Sequence, residues 1–196
     1  MTPVVYVAFG DSTGIGLGAR DGGGYVARLF ARIKLKRPGS TLVNLSAAGA
    51  TTADVVEKQL PRLGVTRATL VTVCVGLNDL LQGREVEQFA QSYETLVAGL
   101  RQSDRRIVIT NLPDVASAPA TQGMADESFR IRLGQFNKAI SDIARRHGLP
   151  LVDLYRLSGE TIRPELFSSD GLHPSDLGYA RWAAAMWPAV EQAIDA

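Results

Sequence analysis

The chain has 196 residues, 45% of them hydrophobic and 21% charged, which excludes a disordered, a membrane-embedded or a disulfide-scaffold protein. One globular domain, 1–196, is expected, with a core that buries about 70% of the unfolded chain's surface and needs neither cofactor nor metal for stability. With 21 Lys+Arg against 20 Asp+Glu, and basic pairs such as Arg105-Arg106 and Arg145-Arg146 lying near acids, the charge pattern excludes the footprint of a nucleic-acid binder.

Val4 to Phe9 opens the chain as a short buried strand, and the glycines at 14, 16, 18, 22, 23 and 24 that follow form a flexible loop. A helix is expected over Gly24 to Lys36, a second strand over Thr41 to Leu45, a helix over Ala53 to Leu60 and a third strand over Ala68 to Val75. Glu85 to Arg101 has Phe89, Tyr93, Leu96, Val97 and Leu100 on one helical face; a strand over Arg106 to Thr110 and a helix over Phe129 to His147 come next. Leu149 to Leu154 is the fifth strand, and a last helix runs from about Asp176 to Ala193. Strict alternation of strand and helix predicts an α/β fold, a three-layer α/β/α sandwich on a five-stranded parallel sheet, because parallel neighbours require a crossover. The stretch from Pro113 to Ser128 is longer than the usual connection and is built of small residues, so it is expected to border a pocket.

In such a sheet ligands bind beyond the carboxyl ends of the strands. There the sequence places Gly10-Asp11-Ser12-Thr13-Gly14 after the first strand, Ala47-Ala48-Gly49-Ala50 after the second, Gly76-Leu77-Asn78-Asp79 after the third, and Asp170-Gly171-Leu172-His173-Pro174 beyond the fifth. A serine hydroxyl needs a base, and imidazole suits that task near neutral pH. Ser12 is therefore the candidate nucleophile, His173 the base, and Asp170, three residues earlier across a glycine turn, the group that holds the imidazole. Donors for a tetrahedral oxyanion are available from the N–H of Ser12, the N–H of Gly49 and the side-chain amide of Asn78.

Taken singly, each residue has a plainer reading. Ser12 and Asp11 would satisfy backbone N–H groups in a turn, Gly49 would be a turn residue, Asn78-Asp79 would cap a helix, and His147 before Gly148 would cap one. Their joint placement at one sheet edge favours catalysis. Asp79 and Asp114 are expected to orient loops. Cys74, the lone cysteine, sits inside the apolar run Leu70 to Val75, which excludes an intramolecular disulfide and argues against a catalytic thiol. Two histidines and no paired spacing give no metal set.

These blocks resemble those of the SGNH hydrolases, GDSL-type esterases and lipases. Gly10-Asp11-Ser12 is similar to that family's first block, Gly49 to its second, Gly76-Leu77-Asn78-Asp79 to its third and Asp170-Gly171-Leu172-His173 to its fifth, over Gly10 to Pro174. The resemblance implies a flavodoxin-like sandwich and a serine ester hydrolase with Ser12 as nucleophile, His173 as base, Asp170 as its partner, and Ser12, Gly49 and Asn78 as oxyanion hole. The substrate would be a small-molecule ester, whether an acyl ester, an acetylated sugar or a lysolipid, with no cofactor. The small residues of the Pro113 to Ser128 loop, and the absence of a large exposed apolar segment for docking on lipid, favour short acyl chains. The sequence departs from the family name at Thr13, where leucine is expected.

Other readings are weaker. Gly10-x-Ser12-x-Gly14 also fits the nucleophile elbow of α/β-hydrolases, but only one strand precedes it. Gly14-x-Gly16-x-x-Ala19 fits a dinucleotide fingerprint whose glycines begin too far beyond the strand and whose second strand ends without an acid. A non-catalytic carbohydrate- or lipid-binding module on the same fold is the remaining alternative. The N-terminal segment lacks the basic region and cleavage site of a signal peptide, and no run approaches the about 20 apolar residues of a membrane span, so a cytoplasmic location is expected.

Overall fold

The computed structural model describes residues 2–20, 23–101, 105–159 and 163–196; Gly22 of the first glycine loop lies outside them. In chain order the elements are β1 (Val5–Gly10), α1 (Ser12–Ile15), α2 (Tyr25–Lys36), β2 (Thr41–Asn44), α3 (Thr52–Asp54), β3 (Leu70–Cys74), α4 (Leu77–Leu81), α5 (Val86–Leu100), β4 (Arg106–Thr110), α6 (Glu127–His147), β5 (Leu151–Val152), α7 (Leu154–Gly159) and α8 (Asp176–Asp195). The five strands pair in parallel in the order β2-β1-β3-β4-β5, the predicted sheet.

Alternate strand residues divide the core in two, as the period of two requires. Val7, Phe9, Val71, Val73, Ile107 and Ile109 pack against α5 and α6 on one face, where Phe89 stacks on Phe136 with ring centroids 4.4 Å apart. Tyr6, Ala8, Leu70, Cys74 and Val108 face α2 and α8, where Tyr25, Trp182 and Tyr179 form an aromatic group. The sheet is thus covered on both sides, and its strand ends form the edge that carries the motifs. No described helix is long and apolar enough to cross a membrane.

Three elements differ from expectation. The fifth strand, expected over Leu149 to Leu154, is only Leu151–Val152, and Leu154 already begins α7. The helix predicted over Ala53 to Leu60 breaks into α3, a π-helical turn Val55–Gln59 and a 3-10 stretch Leu60–Val65 with Pro61 in its first turn. A capping box between Thr51 and Asp54 starts it. Helix α6 starts at Glu127 because the Asp126 side chain accepts from the Phe129 N–H at 2.8 Å, so the preceding loop is shorter than predicted and contains 3-10 turns at Val115–Ser117 and Pro119–Thr121.

Candidate active site

Ser12 begins α1 directly after β1. Asp11 caps this one-turn helix, its Oδ1 accepting from the Thr13 N–H at 2.9 Å and the Thr13 hydroxyl at 2.8 Å. The plain capping role therefore falls to Asp11, which frees the neighbouring serine. Ser12 Oγ, on a residue only 9% exposed, lies 2.8 Å from His173 Nε2, and His173 Nδ1 lies 2.6 Å from Asp170 Oδ2. The tautomer that satisfies both contacts carries the proton on Nδ1, which donates to Asp170, and leaves Nε2 to accept from Ser12.

Asp170 shapes the turn that presents His173. Its Oδ1 accepts from the N–H of Leu172 at 2.8 Å, the N–H of His173 at 2.9 Å and the hydroxyl of Ser168 at 2.8 Å, so Oδ2 is left for the imidazole. Partial burial would raise the Asp170 pKa, but these donors and the imidazole outweigh it and hold the carboxyl well below the usual carboxylate range. The loop is closed by an antiparallel bridge between Phe167 and Pro174 and by the Ser168 N–H donating to the His173 carbonyl at 2.8 Å.

The other blocks follow the ends of strands adjacent to β1. Gly49 is exposed, has φ +73°, and a Cβ built on it would meet nothing within 4 Å: the left-handed backbone requires glycine, and the space before it is open. Asn78 donates one amide hydrogen to the Ala50 carbonyl at 3.0 Å, which aims the amide and leaves its second hydrogen available. Asp79 does not cap α4, the helix it lies in; fully buried, it accepts at Oδ2 from the N–H and hydroxyl of Thr52, the first residue of α3, at 2.7 and 3.1 Å. It thereby ties the third block to the second. Burial raises its pKa, and the donors from Thr52 and the Arg84 guanidinium work the other way. Gly76, at φ +123°, packs where a Cβ would come within 2.8 Å of the Phe89 ring, so this block begins with glycine for steric reasons.

Gln59 was not among the residues singled out from the sequence. Buried on the π turn, it accepts from the Gly10 N–H at 3.1 Å and donates to the Gly10 carbonyl at 2.8 Å, gripping the backbone two residues before Ser12. Following Glu57 and Lys58, it gave no sequence signal that sets it apart from a solvated polar residue. Ser168 was also missed, because its role depends on where the loop folds back.

Cys74 is buried, and burial pushes its thiol up to about 12, which keeps it protonated. Asp114 accepts from the Ser117 hydroxyl at 2.6 Å inside its own loop. His147 does not cap α6. The Gly148 N–H, in the left-handed conformation, bonds the last carbonyls, while the His147 ring lies between Glu94 Oε1 and the Arg101 guanidinium. Among the described residues no cluster of His, Cys, Asp or Glu could hold a metal ion.

A cavity of about 60 Å³ begins at Thr13, Leu77 and His173 and continues between the Pro113–Val115 loop and the start of α8. Its remaining walls are mainly apolar, with Leu157, Leu166, Phe167 and Trp182 among them. The long loop thus borders the pocket as expected, through its first residues.

A family model described as GDSL-like Lipase/Acylhydrolase matches residues 8–181. The chain belongs to this family. Membership in the GDSL-like family supports hydrolase activity and removes the elbow and dinucleotide readings of the first glycine loop. No curated protein matches in sequence. Among solved structures the chain is similar to TesA (22% identical, 96% of this chain and 99% of that one covered, TM-score 0.80). It is also similar to the psychrotrophic esterase EstA from Pseudoalteromonas sp., inhibited by monoethylphosphonate (17%, 98% and 99%, TM-score 0.77). A third is an acetyl xylan esterase from Geobacillus stearothermophilus (19%, 96% and 95%, TM-score 0.79). At these identities the likeness is one of fold.

Proposed function

We propose that this GDSL-family chain, as one hydrolase domain over 1–196, cleaves small-molecule carboxylic esters through an acyl-enzyme on Ser12. The observation that carries this reading is the continuous chain of contacts from Ser12 Oγ to His173 Nε2 at 2.8 Å and from His173 Nδ1 to Asp170 Oδ2 at 2.6 Å.

Ser12 Oγ attacks the carbonyl carbon while its proton passes to His173 Nε2, and the imidazolium so formed is stabilised by Asp170, whose other oxygen is already saturated by three donors. Negative charge collects on the former carbonyl oxygen. The N–H groups of Ser12 and Gly49 and the free amide hydrogen of Asn78 are the donors assigned to it, and because they are held before the reaction they reorganise little during it. As the intermediate collapses, the bond to the alcohol oxygen breaks and that oxygen takes the proton from His173. Water then repeats the sequence on the acyl-serine: His173 removes its proton, the acid leaves, and Ser12 regains its hydrogen.

A fluorophosphonate probe tests the reading together with an ester panel, the acyl and the alcohol parts being varied separately. One stoichiometric adduct mapped to Ser12, and hydrolysis lost in Ser12→Ala, are expected. An adduct on another serine overturns the assignment of the nucleophile. Neither adduct nor hydrolysis makes the domain a binding module.

A further inference from the structure

Thr13, where the family name has leucine, is the one departure in the nucleophile block, and capping by Asp11 does not account for the cavity beside it. The residue is 4% exposed, and its hydroxyl is committed to the Asp11 carboxylate at 2.8 Å, which fixes χ1. It also forms part of the catalytic end of the cavity with Leu77 and His173. A leucine has no hydroxyl to hold it against Asp11 and carries three carbons beyond Cβ where threonine has one carbon and one oxygen, and in so small a space the extra atom matters. About 60 Å³ leaves room for only a short chain of carbons.

We propose that Thr13 is a specificity-determining residue: its small side chain opens the cavity beside His173 to the acyl group of the substrate and confines that group to a short aliphatic chain of about two to four carbons. This rests on the ester-hydrolase reading above. The acyl part is assigned because the two walls nearest the reacting carbon, Thr13 and Leu77, adjoin in sequence Ser12 and Asn78, the donors assigned to the carbonyl oxygen. The alcohol oxygen must instead meet His173 Nε2, and with it the open side of the site near Gly49. Apart from Asp114, Ser158, Arg181 and His173, the walls beyond Thr13 are apolar and suit a chain of carbons.

The test is kcat/KM on nitrophenyl esters from acetyl to octanoyl for the parent, Thr13→Ser, Thr13→Val and Thr13→Leu, with a second series of acetates in which only the alcohol lengthens. The parent should peak at or below butyryl. Thr13→Ser keeps the bond to Asp11 and removes one methyl, so the hexanoyl-to-butyryl ratio should rise about fourfold, the worth of one buried methylene. Thr13→Leu should lower the butyryl-to-acetyl ratio by about tenfold or more, as one carbon in a closed pocket discriminates. Thr13→Val keeps the volume and removes the hydroxyl, so it should lower all esters by a common factor and leave the ratios alone, a pattern that separates pocket size from support of Asp11. The alcohol series should be indifferent to all three. Thr13→Ser and Thr13→Leu profiles that superimpose on the parent's, a parent that prefers octanoyl, or ratio changes confined to the alcohol series overturn the inference while leaving the hydrolase reading intact. If Thr13→Leu fails to fold, Thr13→Ser decides. A parent that hydrolyses no ester in either series overturns both.

Discussion

The two histidines of this chain each sit against a carboxylate, and the third neighbour separates them. At the sheet edge His173 donates from Nδ1 to Asp170 and turns Nε2 to the Ser12 hydroxyl, on a residue that is otherwise buried. On the outer face of α5 and α6 His147 places Nε2 against Glu94 and Nδ1 3.1 Å from the Arg101 guanidinium, while Arg146 takes the other oxygen of Glu94. An arginine can only donate, so both nitrogens of His147 are occupied by partners that hold the ring still. The hydroxyl beside His173 has a proton to give, so in the proposed reaction the same imidazole would serve as a base. A carboxylate–imidazole pair is a common structural device; what faces the second nitrogen decides whether it does chemistry. The supports differ as well. Asp170 is held by its own turn and by Ser168, so the His173 assembly is local and half-exposed, whereas Glu94 joins two long helices across 53 residues.

The contrast is broken or sharpened by a graded set of variants. His173→Ala should cost the most, about four orders of magnitude or more in kcat, since triads lose that much when the base is absent or misoriented, with Tm within a few degrees of the parent. His147→Ala should leave kcat/KM unchanged and lower Tm. Ester hydrolysis and thermal unfolding on the same samples decide, and activity that survives in His173→Ala or vanishes in His147→Ala removes the distinction.

Asn78→Ala comes next, with kcat lower by roughly 10² to 10³ and KM almost unmoved, because an oxyanion donor acts on charge that exists only in the transition state. A rise in KM at constant kcat would instead make Asn78 a ground-state contact.

Ser168→Ala removes one of the donors that hold Asp170 below the usual carboxylate range. Its folded-state pKa should move back up toward the usual carboxylate range. The Asp170 carboxyl titration followed by carbon-13 NMR should shift upward, with kcat/KM at neutral pH lower by only a few-fold; an unmoved carboxyl titration would show that Ser168 does not support Asp170.

The smallest effect belongs to the other histidine. Hydrogen bonds from His147 and Arg146 lower the Glu94 pKa, so its contribution to stability is present above the unfolded carboxylate range and is lost as pH falls through the depressed folded value. Glu94 is more than a third exposed, and screening limits the loss in Glu94→Gln to at most about 1 kcal/mol. That corresponds to a Tm lower by roughly 2–4 °C at neutral pH for a chain of this size. The gap should close in acid, with activity unchanged throughout.

The layers and most of the site were legible because they rest on local patterns. Strand residues alternate between the two core clusters, as Tyr6 and Ala8 against Val7 and Phe9 do, and parallel crossovers bring the strand ends to one edge whatever the helices contain. The Asp170–His173 turn is closed within four residues, so its spacing was readable without a fold. The break of the helix after Asp54 was not, because Val55-Val56-Glu57-Lys58-Gln59 has the same composition whether it winds as an α or a π turn. His147 was misjudged for a related reason: its position before Gly148 is a capping signal, and only the approach of α5 offers it Glu94.

By itself, then, the sequence determined the alternation of elements, the parallel sheet and the four blocks that follow its strands, since each depends on residues within a turn or two of one another. Only the tertiary structure decided that Gln59 grips Gly10 from 49 positions away, that Asp79 reaches Thr52 across 27, and that Thr13 opens on a cavity walled by α8. A buried amide or carboxylate must find its partner wherever the packed chain provides one, because leaving it unpaired costs about 1–3 kcal/mol, and the identity of that partner is a property of the packing rather than of the neighbouring residues.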